Sequence, residues 1–251
     1  MQRITVITGG SRGIGAATAR RLATDGHDVV IGYLRDRTAA EAVAESVVAA
    51  GRRCLAVQVD TTVEADVVRL FATAAAELGP VTGLVNNAGV TSPLGRLADL
   101  TYADLRRVVD VNVIGAVLCA REAVRAMTAS GVRPPGGAAI VNVSSSAATL
   151  GAPDEYVHYA ASKAAVEALT VGLAREVAAQ GIRVNAVAPG IVRTDIHALS
   201  SKDPGRVDRV GPTTPLGRAG EPDEIAAAIA WLLSPQASYT TGAVLRVAGG
   251  R

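Results

Sequence analysis

Short apolar runs recur along the chain, each followed by a turn and then by a longer stretch with apolar residues at helical spacing. The runs cover 4–7, 29–33, 54–59, 83–85, 139–143, 183–188 and 243–247. Each is apolar on both faces, as parallel strands covered by helices are. The alanine-rich stretches between them predict helices over 16–24, 39–49, 63–78, 105–127, 160–179 and 222–233. Gly26, Gly51, Gly79 and Gly181 stand where a helix-ending glycine belongs. Pro222, Asp223 and Glu224 suit a first helical turn. Seven strands alternating with six helices predict an α/β fold, a doubly wound parallel sheet with helices on both faces. No break in composition divides the chain, so residues 1–251 read as a single domain. Two stretches leave the rhythm: the turn at 133–137 and a long irregular segment at 191–212, of a length that is usually functional or disordered.

Composition narrows the classes. Hydrophobic residues make up 49%, enough to build a core. With 25 basic and 23 acidic residues the net charge is +2, and no basic run marks a nucleic-acid arm. Aromatic residues, at 3%, are too few for base-stacking platforms. Cys54 and Cys119 lie in separate apolar segments, which argues against a disulfide framework. His27, His158 and His197 have no paired spacing, so no metal site is expected. No uncharged apolar run reaches the ~18 residues of a membrane span. The chain begins with a strand rather than a targeting segment. These features lead us to expect a soluble, cytoplasmic protein without nucleic-acid or membrane partners.

The turn after the first strand carries the first chemistry. Gly9, Gly13 and Gly15 within Thr8-Gly9-Gly10-Ser11-Arg12-Gly13-Ile14-Gly15 are spaced G-x-x-x-G-x-G, between a strand and an amphipathic helix. Glycines there let backbone N–H groups approach a pyrophosphate seated on a helix N-terminus. This is the strand–turn–helix of a Rossmann-type dinucleotide site, with Ser11, Arg12 and Ile14 in the same turn. The second strand ends in Gly32-Tyr33-Leu34-Arg35-Asp36. Tyr33 stands where an acid would hold a ribose 2′-hydroxyl, and Arg35 with Arg12 could clamp a 2′-phosphate. Asp36 points the other way. The arginines lead us to expect NADP rather than NAD.

Tyr159-Ala160-Ala161-Ser162-Lys163 places a phenol and an ammonium four residues apart, on one face of a helix. A phenol with a pKa of about 10 is a poor acid or base near neutrality. An ammonium about 5 Å away, at an effective dielectric near 20, contributes ~3 kcal/mol toward the phenolate. Such a pair can donate a proton in carbonyl reduction or accept one in alcohol oxidation. Tyr156 has no lysine four residues on.

Taken in order, these motifs resemble those of the short-chain dehydrogenase/reductase family. They are Thr8-Gly9-x-x-x-Gly13-x-Gly15, Asp60, Asn86-Asn87-Ala88-Gly89, Asn112, Ser144-Ser145, Tyr159-x-x-Ser162-Lys163, and Pro189-Gly190 with Thr194. The resemblance implies an NADP(H)-dependent oxidoreductase that interconverts a carbonyl and an alcohol. It implies that Tyr159 is the acid/base, that Lys163 lowers its pKa and holds the nicotinamide ribose, and that Ser145 hydrogen-bonds the substrate oxygen. Asn112 would hold a water linking Lys163 to solvent. Asp60 would contact adenine, Asn87, Ala88 and Gly89 the adenosine ribose, and Pro189, Gly190 and Thr194 the nicotinamide. The family's usual interval before the tyrosine points to Ser146. The register of the fifth strand points to Ser145, with an extra residue in the 152–158 loop, and both serines stay open.

The substrate pocket is expected from 90–94, 150–156 and 191–212, the last acting as a lid by resemblance. That segment mixes Ile196, Leu199, Val207 and Val210 with His197, Lys202 and Asp203, and no arginine cluster marks an anion site. The similar sequences include 3-oxoacyl carrier-protein reductases and sugar dehydrogenases. The resemblance also implies a homotetramer, or failing that a dimer. Its interfaces would be the last strand, within 241–251, and the helices 105–127 and 160–179, the latter with small residues at Ala164, Ala168 and Gly172.

Overall fold

The computed structural model describes residues 2–199 and 203–251. Seven parallel strands form one sheet in the order β3-β2-β1-β4-β5-β6-β7. They are β1 (Arg3–Thr8), β2 (His27–Tyr33), β3 (Cys54–Gln58), β4 (Gly83–Asn86), β5 (Ala138–Val143), β6 (Ile182–Pro189) and β7 (Val244–Val247). The helices are α1 (Gly13–Thr24), α2 (Arg37–Ala49), α3 (Glu64–Glu77), α4 (Tyr102–Val109), α5 (Ala116–Ser130), α6 (Ala147–Leu150), α7 (Val157–Val177), α8 (Ile196–Leu199), α9 (Arg206–Val210) and α10 (Pro222–Leu233).

Strand alternation splits the core into two layers, because successive side chains leave opposite faces of a sheet. Ile7, Val29, Ile31, Val141 and Val187 pack with Leu22 of α1, Val43 of α2 and Ile229 of α10. Val6, Val30, Leu84, Ile140 and Val184 pack with Leu70 of α3, Met127 of α5 and Val177 of α7. The four glycines expected to end helices all have positive φ, from +70° at Gly181 to +112° at Gly79.

The predicted helix over 105–127 is two helices. A π-helical turn, Asp110–Gly115, joins α4 to α5. Asn112 sits in that turn, its Oδ1 accepting from the Val90 N–H and its Nδ2 donating to the Val90 carbonyl, both at 2.9 Å. The inserted turn aims Asn112 at the loop after β4, a use for which π-bulges are common. Two other helices begin three residues earlier than expected, at Gly13 and Val157, which puts Tyr159 in the first turn of α7. The 191–212 segment holds α8 and α9; Lys202, expected within it, lies outside the described residues.

Strand order reverses between β1 and β4. In open α/β sheets the crevice beyond the C-terminal strand ends at that point is where ligands bind. The Thr8 hydroxyl ties its two sides together, accepting from the N–H groups of Asn87 and Ala88, each at 3.0 Å.

Away from the crevice, His27 on β2 is buried and its Nδ1 lies 2.9 Å from the Thr5 hydroxyl. Burial, with a smaller contribution from Arg3, lowers its pKa from 6.5 to about 4. Below pH 6.5 the unfolded chain binds this proton and the fold does not, so stability is full above 6.5 and is lost as pH falls toward about 4. The effect is worth roughly 3 kcal/mol. Urea unfolding of His27→Gln beside the wild type should show the stability gap between them changing over that interval. A gap independent of pH would contradict the assignment.

Candidate active site

A cavity of about 630 Å³ opens at the reversal point. It is lined by every expected site residue except Gly15 and Asn112: Gly9, Ser11, Arg12, Gly13, Ile14, Arg35, Asp60, Asn87, Ala88, Gly89, Ser145, Tyr159, Lys163, Pro189, Gly190 and Thr194. Gly15 and Asn112 stand behind it and shape it. A Cβ on Gly15 would lie 2.4 Å from the Gly9 carbonyl oxygen, so the turn closes only with glycine there. Asn87 locks the same turn, its Nδ2 donating to the carbonyls of Thr8 at 2.9 Å and Gly9 at 3.0 Å. The result is a glycine-rich cradle at the N-terminus of α1, which fits a pyrophosphate.

At the end of the cavity beside the tip of β2, Arg12 is not free. It pairs with Asp36 at 3.2 Å, and Asp36 also caps α2 by accepting from the Ala39 N–H at 3.0 Å. Both side chains are more than 40% exposed, so the pair is weak and can open. Arg35 is exposed on the same rim. Asp60 turns back on its own loop, accepting from the N–H and hydroxyl of Thr62.

The other end is built by β5 and α7. Lys163 is 5% exposed, and its Nζ donates to the Val143 carbonyl at 2.8 Å. No carboxylate among the described residues pairs with it, and burial lowers its pKa to about 8. Its Nζ and the Oδ1 of Asn112 converge on Gly89, where an added Cβ would meet them at 3.3 and 3.4 Å. Asn112 also donates to the Ser162 hydroxyl at 3.0 Å, and its Oδ1 keeps one lone pair unused.

The Lys163 Nζ lies 5.8 Å from the centre of the Tyr159 ring. Proximity does not make the phenol acidic. Burial pushes the Tyr159 pKa up, Tyr156 adds to the rise, and a hydrogen bond with Ser145 opposes it. The expected acidification therefore does not arise from the lysine alone, because spacing along a helix says nothing about depth. Of the two serines, Ser145 is the one whose side chain opposes the rise at Tyr159, and its Oγ accepts from the Ala147 N–H at 3.2 Å. Ser146 lines the cavity and anchors the backbone, its N–H donating to the Pro189 carbonyl at 2.8 Å.

No arginine cluster is visible along the chain, yet Arg107, Arg206 and Arg251 all reach this cavity. They come from α4, α9 and the last residue, so no local spacing could reveal them. Tyr156, set aside as an acid/base, forms a wall of the cavity, its ring edge-on to Tyr159 with centroids 5.1 Å apart. The loop before it holds Ala152 at φ +46°, a left-handed position that costs a non-glycine residue of order 1–3 kcal/mol.

The family described as enoyl-(acyl carrier protein) reductase matches residues 9–251. An uncharacterized oxidoreductase, YgfF, of Escherichia coli K12 is 47% identical over 99% of both chains. The chain belongs to the short-chain dehydrogenase/reductase family. Another family member, the cis-4-hydroxycyclohexanecarboxylate dehydrogenase of Sinomonas cyclohexanicum, is 43% identical over 99% of this chain and 96% of its own. A short chain dehydrogenase of Burkholderia cenocepacia solved with NADP superposes with a TM-score of 0.89 at 37% identity, covering 99% of this chain and 97% of that one. A 3-ketoacyl-(acyl-carrier-protein) reductase of Brucella melitensis solved with NADH gives 0.90 at 35%, covering 99% and 98%. The chain is thus an oxidoreductase of this family, and no helix among the described residues is long and apolar enough to cross a membrane.

Gly15→Ala is expected to force the turn apart at the Gly9 carbonyl and destabilise the protein by about 1–3 kcal/mol. Urea unfolding measures this, and an unchanged midpoint would contradict the close approach.

Proposed function

We propose that this protein reduces a ketone or aldehyde to an alcohol, and runs the reverse, with NADP(H) as the hydride carrier. The observation that carries this reading is the buried pair of Tyr159 and Lys163, with the half-buried Ser145 lining the same cavity as the glycine cradle. When bound, the nicotinamide dinucleotide supplies the hydride, or takes it up in the oxidative direction. Gly9, Ser11, Gly13 and Ile14 would hold its phosphates; Asp60 its adenine; Asn87, Ala88 and Gly89 the adenosine ribose; Pro189, Gly190 and Thr194 the nicotinamide. Arg35, and Arg12 once released from Asp36, favour a 2′-phosphate. The family includes members solved with either cofactor, so this preference rests on those two guanidiniums.

Ser145 donates a hydrogen bond to the substrate oxygen and steadies the negative charge that grows there. Tyr159 gives that oxygen its phenolic proton. The phenolate left behind is stabilised by the Lys163 ammonium, and Asn112 offers its remaining lone pair to a water that reconnects Lys163 with solvent. A phenol held protonated by burial is in the correct state to donate to an alkoxide. Oxidation needs the phenolate, so it belongs at higher pH. The substrate is a small molecule, enclosed by 90–94, 150–156 and the 191–212 lid.

We also propose a homotetramer. Ala164, Ala168 and Gly172 of α7 are exposed on the monomer, as is Val117 of α5, and suit helix packing between subunits. Sedimentation showing only monomer would contradict this.

The test is NADPH consumption against a panel of ketones and aldehydes. Activity is expected with NADPH over NADH, and a clear NADH preference would overturn the cofactor assignment. Tyr159→Phe and Ser145→Ala should each lower kcat by about 10²–10³-fold or more, with Ser146→Ala close to wild type. Full activity in Ser145→Ala with loss in Ser146→Ala would reverse the serine assignment. For reduction, kcat/KM should fall as pH rises through about 8, where Lys163 loses its proton, while oxidation should rise with pH. A reduction profile that is flat across that range would contradict the role of the lysine.

A further inference from the structure

Arg206 opens α9, a helix of five residues, yet it is 3% exposed. Arginine is almost never buried without partners. Its Nη2 donates to Glu155 Oε2 at 2.6 Å and to the Tyr156 hydroxyl at 3.0 Å. The guanidinium carbon lies 5.3 Å from the centre of the Tyr156 ring. Tyr156 in turn meets Tyr159 at 5.1 Å with an interplanar angle of 80°, a T-shaped contact. Two steps, Arg206 to Tyr156 and Tyr156 to Tyr159, therefore link the 191–212 segment to the proposed acid/base. Arg206 and Tyr156 both line the cavity, so the connection passes along the wall that a substrate would touch.

We propose that Arg206 is a positioning residue: it latches the lid to the substrate wall and, through Tyr156, fixes the ring of Tyr159. This rests on the reading of Tyr159 as the acid/base. The guanidinium suits the task because its planar fork reaches a carboxylate and a phenol at once while lying over a ring. A lysine, a point charge, cannot do all three. The Nε of Arg206 is buried without an acceptor among the described residues, so the closed latch is not fully satisfied and can release. Lid position and the aim of the reacting phenol become one variable.

The test is a double-mutant cycle in the full-length protein, with Arg206→Met, Tyr156→Phe and the double variant. kcat and KM are measured for a reducible ketone, and NADPH affinity by fluorescence titration. Arg206→Met should lower kcat/KM about tenfold to a hundredfold, the effect of a lost charged hydrogen bond. NADPH affinity should stay within about twofold, and the double variant within about threefold of Arg206→Met alone. Losses that multiply, an unimpaired Arg206→Met, or an equal loss of NADPH affinity would overturn the latch. Should Arg206→Met fail to fold, Arg206→Lys enters the same cycle with the same expectations. Amide hydrogen exchange reads the latch without turnover: Arg206→Met should speed exchange in both 206–210 and 152–156, and unchanged exchange in 152–156 would overturn it. A wild type that turns over no carbonyl or alcohol contradicts the proposed function, whereas an active wild type with multiplying losses contradicts the latch alone.

Discussion

A buried ammonium without a carboxylate partner is the constraint around which this site is arranged. Lys163 sits at the base of the cavity with the Val143 carbonyl as its described acceptor, and burial holds its pKa near 8. Removing such a charge from water is costly unless something compensates. Here the compensation is left to whatever enters the crevice and, in the proposed mechanism, to a phenolate on Tyr159. The surrounding structure keeps the amine where it is. β5 supplies the carbonyl, α7 sets its distance from Tyr159, and a glycine at 89 leaves room for it beside Asn112.

The scaffold divides its labour along the strands. In the middle of the sheet, side chains alternate into two apolar layers and the polar groups are few. At the C-terminal strand ends the order reverses, and the loops after β1, β4, β5 and β6 meet. Thr8 and Asn87 stitch two of those loops together through backbone groups, which fixes the cradle between them. Irregular features gather on the same side: the π turn at Asn112, the left-handed Ala152, and the incompletely bonded Arg206. Departures from regular geometry concentrated around one cavity are what a working site within a well-packed fold looks like.

Much of this was legible from residue order alone. Both-faced apolar runs and helix-ending glycines specify the strands and helices, and the glycine turn announces the cradle because its function lies in its own backbone. The register of β5 brings both Ser145 and Ser146 to the cavity, since a strand fixes where its next residues emerge. Other features depend on depth or on distant partners. The 105–127 segment has continuous helical periodicity, and its π turn comes from Asn112 bonding Val90, a contact between remote elements. Arg12 and Asp36 were both visible, but their pairing was not. Arg206 finds Glu155 and Tyr156 only because the segment after β6 folds back over the loop after β5. The Tyr159–Lys163 spacing was plain, but the burial that raises one pKa and lowers the other is a property of the folded protein.

The central claim is that Lys163 and a bound oxidised nicotinamide together offset the burial of the Tyr159 phenol. Direct titration tests it: carbon-13 NMR of ring-labelled tyrosine, with Tyr159 assigned by loss of its signal in Tyr159→Phe, in the presence of saturating NADP⁺. The apparent pKa of Tyr159 should be lower in the wild type than in Lys163→Met, because the phenol and the amine titrate as a pair. The same pKa in both proteins would contradict the account.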